Sequence, residues 1–488
     1  MTTGSGADPA ADGQRSVSSF GDDALGDRDA VGLAAAVAAG EVSPAELVEA
    51  AIGRADKVQP QLNAVAVTDY ERARAKAEAF GDPSSRPGSV FDGVPSFVKG
   101  VAEVAGLPNR FGSRAVPDKP ADESSPTVVQ LESTGLVSLG LTTTPEFGLT
   151  ASTEALVTGI TRNPWSLDHS PGGSSGGSAA LVAAGVVPVA HANDGGGSIR
   201  IPASCCGLVG LKPSRGRMAR IDLPNIIPVD LAAEGIVSRS VRDTATYLHG
   251  AELHRRAAEL PSIGHVTSPS DRRLRVGVVT ERVDGVPLDS VNRSEVLRVA
   301  GQLEALGHDV ELIPNPFPAR FADDFMMLWA YAPFLLSTVG KRVMGPEFDR
   351  KQLEPWTQWL VSHFRRRAAK APAAFRRMRR LVAEFGTAFA AHDVLLSSTL
   401  GGPLHEIGYL SPELPGEVHL ARAIAHCPTT PPYNVGGGPA VSLPLAVDGN
   451  GLPMGIHFGA DVGQEAMLLE LAFELEAAHP WPTLAGGG

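Results

Sequence analysis

Cysteine is scarce in this chain: Cys205, Cys206 and Cys427 are the only three among 488 residues. Two of them are neighbours in sequence, and no C-x-x-C spacing of the kind that binds zinc occurs. Three cysteines in this arrangement exclude a disulfide framework and favour a reducing compartment, so we predict a cytoplasmic protein without a structural metal. The three thiols are interpreted as small, buried apolar side chains.

Long hydrophobic runs are also missing. No stretch approaches the roughly 18 unbroken apolar residues that a membrane-spanning helix needs, so we predict no membrane contact. The N-terminus has no basic segment followed by an apolar one, which a secretion signal would require. Residues 1–26 are instead rich in Gly, Ala, Ser and Asp and are predicted to form a disordered leader, followed by one domain over residues 27–488.

Positive charge is in deficit, because 42 Lys and Arg residues stand against 54 Asp and Glu residues, giving a net charge of −12. This balance argues against a nucleic-acid or anionic-membrane partner and suits an enzyme that acts on small molecules. One basic cluster is interpreted as a solvated helix face, with a phosphate or carboxylate site as the alternative. It comprises Arg365, Arg366, Arg367, Lys370, Arg376, Arg377, Arg379 and Arg380.

Helical and strand patterns alternate along the chain. Ser43-Pro44-Ala45-Glu46 has the capping-box pattern that begins a helix, and an apolar strand over 94–98 ends at Lys99. A strand, a helix and a second strand follow one another over 274–313, a crossover typical of a largely parallel sheet. We therefore predict an α/β fold, a single large domain with a central mixed β-sheet flanked by helices. A mostly helical insertion spans about residues 321–390.

Glycine and serine concentrate in two neighbouring segments, with a short helix over 179–184 and a buried strand over 186–190 predicted between them. The first segment is Ser170-Pro-Gly-Gly-Ser-Ser-Gly-Gly-Ser178, and the second is Asp194-Gly-Gly-Gly-Ser-Ile-Arg200. Consecutive glycines expose backbone N–H groups that can hold an anion. At a hydrolytic centre the amides of Gly195, Gly196, Gly197 and Ser198 would form an oxyanion hole, while the Ser198 hydroxyl attacks a carbonyl.

A nucleophilic serine needs a base, and Lys99 is the candidate. A free lysine has a pKa of about 10.4 and is almost fully charged at neutral pH, so it can accept a proton only if burial lowers that pKa. Lys99 follows an apolar strand and precedes Gly100, which favours an interior position. For a lysine considered alone, a solvated side chain would be the default interpretation.

A series of motifs resolves this choice by resemblance. They are Val94-Pro-Ser-Phe-Val-Lys99, Thr161-Arg-Asn-Pro-Trp165, Gly172-Gly-Ser-Ser-Gly-Gly177, Asp194-Gly-Gly-Gly-Ser-Ile-Arg200, Cys206-Gly-Leu-Val-Gly-Leu-Lys-Pro213, Arg239-Ser-Val-Arg-Asp243, and Tyr433-Asn434 with Pro439-Ala-Val-Ser-Leu-Pro444. In this order the motifs resemble the amidase signature family over about residues 30–481. The family's α/β fold is implied for the domain.

The resemblance implies an amide hydrolase that acts on carbon–nitrogen bonds other than peptide bonds and needs no cofactor. By the same resemblance Lys99 is the general base, Ser174 relays the proton through a residue that follows a cis peptide bond, and Ser198 forms the acyl-enzyme. Ser175, Asp194 and Arg200 correspond to supporting positions. Gly100 and Gly195 depart from residues that are common in the family, which puts the local rigidity of the two loops in doubt.

Within the family, His191-Ala-Asn-Asp194 and Arg200-Ile-Pro-Ala-Ser204 most resemble the 6-aminohexanoate-cyclic-dimer hydrolase group, and relatives cleave aryl amides or carbamates. The resemblance implies a small amide or carbamate substrate and water as partners. The tryptophans of the helical insertion are either core residues or the wall of an apolar pocket. The predicted pocket residues are Phe147, Thr150, Ala151, Trp329 and Phe334.

Other interpretations stay open at this point. Gly172-x-Ser174-x-Gly176 fits the nucleophile elbow of α/β-hydrolases, with His405 or His457 as the base and Ser174 as the nucleophile. An amidotransferase subunit that moves ammonia from glutamine, and an inactive homologue used for binding, are the second and third alternatives. A homodimer is an open alternative for the assembly.

Overall fold

The computed structural model describes residues 16–80, 89–221 and 227–486. Residues 1–15 of the predicted leader lie outside the described residues. For residues 16–26 the prediction of disorder is wrong, because the segment packs on the domain. The backbone N–H of Val17 donates to the Pro164 carbonyl and that of Ser19 to the Ala184 carbonyl, and both side chains are buried. Apolar burial of Val17 and paired backbone groups fix this segment in spite of its polar composition.

Helices pack against the sheets. Their bounds are α1 Ala30–Ala38, α2 Pro44–Leu62, α3 Tyr70–Glu78, α4 Pro126–Ser133, α5 Gly176–Ala183, α6 Arg200–Cys206, α7 Val241–His254, α8 Ser290–Ala305, α9 Phe321–Val343, α10 Pro355–Arg367, α11 Ala371–Glu384, α12 Gly416–His426, α13 Pro431–Gly436 and α14 Glu465–Ala478. No helix in the described ranges is long and apolar enough to cross a membrane.

The strands form one large sheet and two small ones. Their bounds are β1 Val65–Thr68, β2 Pro95–Lys99, β3 Val137–Thr142, β4 Glu154–Ala155, β5 Gly159–Ile160, β6 Val189–Asp194, β7 Val209–Lys212, β8 Ala233–Ser238, β9 Arg275–Val278, β10 Asp309–Leu312, β11 Val394–Ser398, β12 Ala440–Val447 and β13 Pro453–Gly459.

The large sheet has the strand order β10-β9-β11-β13-β12-β7-β8-β6. The crossover from β9 through α8 to β10 is parallel, as expected, and β11 is also parallel to β9. The prediction of a largely parallel sheet is wrong, because the other pairs are antiparallel. A short loop over 448–452 joins β12 to β13, and only an antiparallel hairpin can be closed so tightly. The α/β fold with a mixed sheet is confirmed.

A small sheet of order β1-β3-β2 lies against β6, the edge strand of the large sheet. The Ser96 hydroxyl in β2 donates to the carbonyl of Val189, and the Lys99 backbone N–H donates to Nδ1 of His191. These side chains are fully buried between the two sheets. The end of β2 is thereby held beside the end of β6, where the glycine-rich loop begins.

The segment predicted to be a mostly helical insertion, about residues 321–390, contains α9, α10 and α11. Trp329 in α9 and Trp356 in α10 both donate their indole N–H to the carbonyl of Leu149, at 3.3 Å and 3.1 Å. One carbonyl has two lone pairs, and here both are used to attach the insertion to the loop after β3. Trp359 is more exposed and donates to the Glu417 carboxylate.

The basic cluster forms a solvated helix face, as expected. All of its members are exposed except Arg377, which is half-buried and forms an ion pair with Asp324. Arg380 pairs with Glu384 one turn further along α11. The Arg380–Glu384 pair lies at the outer surface, whereas the Arg377 pair reaches inward to the buried Asp324.

Loss of the capping box at the start of α2 should destabilise the protein measurably. The Ser43 hydroxyl accepts the Glu46 N–H, and the Glu46 carboxylate accepts the Ser43 N–H. Ser43→Ala should lower the free energy of unfolding by about 1 kcal/mol, measured from urea unfolding curves. Ser43→Thr keeps a capping oxygen and serves as the control. Equal stability of the alanine variant and the wild type would contradict the assignment.

Candidate active site

Three chain segments meet at one buried point: the end of β2, the loop before α5, and the loop between β6 and α6. Nζ of Lys99 lies 2.7 Å from Oγ of Ser174, and both residues are buried. The peptide bond between Gly173 and Ser174 is cis. The structure thus brings the predicted base and the predicted relay into direct hydrogen-bond contact.

Lys99 is surrounded by acceptors for its protons. Nζ donates to the side-chain oxygen of Asn193 at 2.8 Å and lies 3.3 Å from the backbone carbonyl of the same residue. Burial lowers the pKa of Lys99 to about 7, although the negative charges of Glu234 and Asp194 partly oppose the shift. A large fraction of Lys99 is therefore neutral near pH 7 and can accept a proton.

Asn193 was not among the predicted site residues. Its position at the end of a strand, directly before the Asp194 motif, is the signal that could have indicated it. Because side chains alternate along β6, Asn193 and His191 project to one side, where β2 and Lys99 lie. The alternation of side chains can be read from the sequence, but the sequence does not show that β2 packs against this side of β6.

Ser198 lies at the start of the turn into α6 and lines a cavity. Ser198 is only 7% exposed, so a substrate would reach it through the cavity. The Ser175 hydroxyl donates to the Ser198 carbonyl at 2.5 Å, so the predicted supporting serine ties the two loops together. Among the described residues no direct hydrogen bond joins Ser174 to Ser198.

The glycine loop offers fewer free amides than the sequence predicts. The Gly197 N–H donates to the Asp194 carboxylate at 2.6 Å, so the prediction that Gly197 contributes to an oxyanion hole is wrong. The N–H groups of Gly195, Gly196 and Ser198 have no hydrogen-bond acceptor within the described part of the chain. Three amides, rather than four, are therefore available to an anion.

Asp194 and Arg200 form an ion pair that is completely shielded from water. The guanidinium donates to both carboxylate oxygens, at 2.9 Å and 3.0 Å. Burial alone would raise the pKa of Asp194, but the charge of Arg200 and hydrogen bonds from Arg200 and Asn434 hold it well below its usual range. Arg200 also donates to the carbonyl of Thr430, which connects the loop to α13.

The cavity above Ser198 is almost entirely apolar. Three of the predicted pocket residues, Thr150, Ala151 and Trp329, lie in its wall. A Cβ atom at Gly195 or Gly196 would lie 3.4 Å from the ring of Trp329 or Phe325, so the glycine loop faces these aromatic rings directly. Further wall residues that the sequence did not predict include Leu149, Phe321, Phe325, Met326, Trp356, His419, Ile424 and Cys427.

Two predicted pocket residues lie outside the wall. Phe147 stacks on Phe111 and packs into two apolar clusters behind the loop. Phe334 lies one helical turn or more beyond Trp329 in α9, where it packs against Tyr331 and Phe364. The direction of α9 decides this outcome: its first turns line the cavity and its later turns pack on α10.

The nucleophile-elbow interpretation finds no histidine beside Ser174. His457 accepts a hydrogen bond from Arg200 in the core, and His405 stacks on Tyr409. Ser174 itself is bound to Lys99. Within residues 16–80, 89–221 and 227–486, no group of three or more His, Cys, Asp or Glu side chains could hold a metal ion.

Comparison with known proteins agrees with this geometry. The amidase family profile matches residues 46–469. "Putative amidase AmiC" of Mycobacterium leprae is 46% identical, covering 96% of this chain and 99% of that protein. A solved structure of a 6-aminohexanoate cyclic dimer hydrolase with substrate superposes with a TM-score of 0.83 at 32% identity, over 93% of this chain and 98% of that one. A bacterial aryl acylamidase gives a TM-score of 0.82 at 26% identity, over 93% and 96%.

The fold and the relatives define an amide hydrolase that acts on carbon–nitrogen bonds other than peptide bonds. The chain belongs to the amidase signature family. The resemblance drawn from the sequence motifs, including the one to 6-aminohexanoate-cyclic-dimer hydrolase, is thereby confirmed.

Breaking the buried ion pair should cost far more than breaking a surface one. Asp194→Asn leaves Arg200 charged and unpaired, so the free energy of unfolding should fall by about 3–5 kcal/mol. Asp230→Asn, which removes the partly exposed pair with Arg220, is the control and should change stability by less than about 1 kcal/mol. Similar losses in the two variants, measured by urea unfolding, would contradict this interpretation of Asp194.

Proposed function

We propose that the protein hydrolyses the amide or carbamate bond of a small, uncharged and largely apolar substrate through an acyl-enzyme on Ser198. The observation that carries the proposal is the 2.7 Å contact between the buried Lys99 amine and the Ser174 hydroxyl, next to a cavity lined by Ser198. A lysine is a poor base in water, but here burial keeps much of it neutral near pH 7. Ser174 is then the relay between base and nucleophile.

The hydrogen bonds around Lys99 suit this role. In its neutral form the amine has two protons and one lone pair. Its protons are directed to the side-chain and backbone oxygens of Asn193, which leaves the lone pair for the Ser174 hydroxyl proton. Ser174 Oγ can then accept the proton of Ser198 when the latter attacks the substrate. A charged lysine would instead donate to Ser174 and block the relay.

The proposed reaction has two stages. Ser198 Oγ forms a bond to the substrate carbonyl carbon, and the negative charge on the carbonyl oxygen is held by the free amides of the Gly195–Ser198 loop. The carbon–nitrogen bond then breaks, and the proton taken from Ser198 returns through the relay to the leaving nitrogen. Water attacks the acyl-enzyme in the second stage, and the same groups release the acid.

The cavity supports an uncharged substrate. None of the residues that line it in the described chain is Lys, Arg, Asp or Glu. The indole N–H groups of Trp329 and Trp356 are already bound to Leu149 and offer no donor. A carboxylate or ammonium group would lose its hydration there without a counter-charge, which costs several kcal/mol. Aryl amides, aryl carbamates and cyclic amides are the substrate classes that fit.

The same argument disfavours glutamine, whose amino and carboxylate groups are both charged, and with it an amidotransferase role. An inactive binding protein is disfavoured because the base, relay and nucleophile are all present. A cytoplasmic location and a homodimer stay predictions.

Removal of the nucleophile should abolish turnover. Ser198→Ala should lower kcat/KM for an aryl amide by at least about 10⁴-fold, followed by arylamine release. Lys99→Met and Ser174→Ala should each lose about 10²–10⁴-fold. The Lys99→Met/Ser174→Ala double variant should lose no more than the worse single variant, because the two act in one relay. Additive losses would contradict the relay, and an active Ser198→Ala variant would contradict the nucleophile.

The pH profile should report the protonation of Lys99. Because the pKa of Lys99 is lowered to about 7, kcat/KM should rise with pH through a midpoint near 7 and level off above it. Lys99→Arg, which stays charged throughout, should show no such rise. Tryptophan fluorescence over the same pH range controls for unfolding. A flat wild-type profile from about pH 5.5 to 9 would contradict the role of Lys99 as the base.

A further inference from the structure

One pair of polar side chains in the apolar cavity has no part in the relay. Oγ1 of Thr150 and Nε2 of His419 lie 2.8 Å apart, and both residues line the cavity. Thr150 lies in the loop that holds Leu149, and His419 lies in α12, stacked on the indole of Trp356. Thr150 and Ser198 are the lining residues whose side chains present an oxygen atom.

The contact made by the other ring nitrogen of His419 determines which partner donates in this hydrogen bond. Nδ1 of His419 lies 3.1 Å from the carbonyl oxygen of Ser411, which can only accept, so Nδ1 carries a proton. Burial lowers the pKa of His419 to about 4, so the ring is neutral near pH 7 and Nε2 has no proton. Nε2 must therefore accept, and the Thr150 hydroxyl must donate. The Thr150 hydroxyl proton is thus directed toward Nε2 of His419. The lone pairs of the hydroxyl oxygen remain free to accept a hydrogen bond.

We propose that Thr150 Oγ1 is an acceptor for the N–H of the scissile amide or carbamate and makes the enzyme select amides over esters; this rests on the proposed function. His419 is the positioning residue that keeps the hydroxyl from acting as a donor. A Thr150 hydroxyl that cannot turn its proton toward the substrate favours an N–H group. It disfavours the ester oxygen, because two lone pairs would then face each other.

The position of Thr150 supports this role. A Cβ atom on Gly148, two residues earlier, would lie 3.0 Å from Ser174 Oγ, and one on Gly173 would lie 2.8 Å from the carbonyl carbon of Ala151. Thr150 therefore lies between Gly148, which borders Ser174, and Ala151, which borders Gly173. Thr150 and Ser198 line the same cavity, so the proposal places the carbonyl carbon of the substrate at Ser198 and its nitrogen at Thr150.

The test compares three substrates with the same acyl and aryl groups: 4-nitroacetanilide, its N-methyl derivative without the N–H, and 4-nitrophenyl acetate. In Thr150→Val, kcat/KM for the anilide should fall by about tenfold, the effect of one lost hydrogen bond. Hydrolysis of the N-methyl anilide should stay within about twofold of the wild type, whereas ester hydrolysis should rise, because the Thr150 lone pairs no longer face the ester oxygen. Thr150→Ser keeps the hydroxyl and should retain the wild-type ratio of anilide to ester.

His419→Phe removes the acceptor while keeping a ring against Trp356. The freed Thr150 hydroxyl can then donate, so the ratio of ester to anilide hydrolysis should rise several-fold. Thermal unfolding of each variant controls for stability. Equal losses on all three substrates in Thr150→Val, or an unchanged anilide rate, would overturn the proposal.

Ser198→Ala, assayed in parallel, separates this proposal from the function on which it rests. If hydrolysis depends on Ser198 but Thr150→Val treats all substrates alike, the acceptor role alone fails. If Ser198→Ala retains activity, or the wild type hydrolyses none of the three, the proposed function fails and the acceptor role fails with it.

Discussion

The buried ion pair between Asp194 and Arg200 holds the loop that contains Ser198 in shape. Asp194 ends β6 and Arg200 begins α6, so the pair closes a tight loop whose middle is Gly195 to Ile199. The carboxylate accepts the N–H groups of Gly197 and Ile199 in addition to the guanidinium. It thereby fixes which amides are used inside the loop and which stay free. Because both charges are shielded from water, neither can be removed without leaving the other unpaired.

Two tryptophans attach the helical insertion to one carbonyl group in the loop after β3. Trp329 and Trp356 come from different helices, yet both bind the Leu149 carbonyl. The same ring of Trp329 lies over Gly195. A Cβ atom at Gly195 or Gly196 would meet an aromatic ring at ordinary van der Waals distance, so the glycine backbone packs directly against the aromatic wall of the cavity.

The sequence predicts those parts of the fold whose signals are local. The capping box at Ser43 begins α2 as expected, and the strand that ends at Lys99 is β2. The predicted strand over 186–190 is instead Val189–Asp194, because β6 runs on through His191, Asn193 and Asp194. These polar residues carry no apolar signal, and they are accommodated in the interior by partners from β2, β8 and α6. Local sequence patterns likewise do not predict which strands pair in the large sheet.

The candidate site shows the same difference between what local sequence predicts and what only tertiary contacts determine. The identities of Lys99, Ser174 and Ser198 follow from motifs, whereas the state of each polar atom depends on tertiary contacts. Gly197 loses its amide to Asp194, Asn193 gains a role from a strand of another sheet, and the proton of Thr150 is directed by a histidine from α12.

A balance of opposing effects sets the chemistry of Lys99. Complete burial favours the neutral amine and lowers the pKa. The carboxylates of Glu234 and Asp194 raise the pKa again, and the result is a value of about 7. Glu234 is itself held by His191, whose other ring nitrogen accepts the Lys99 backbone N–H. A general base is most effective when its pKa lies near the working pH, so under the proposed function the burial of Lys99 and the two carboxylates together set the pKa of the base.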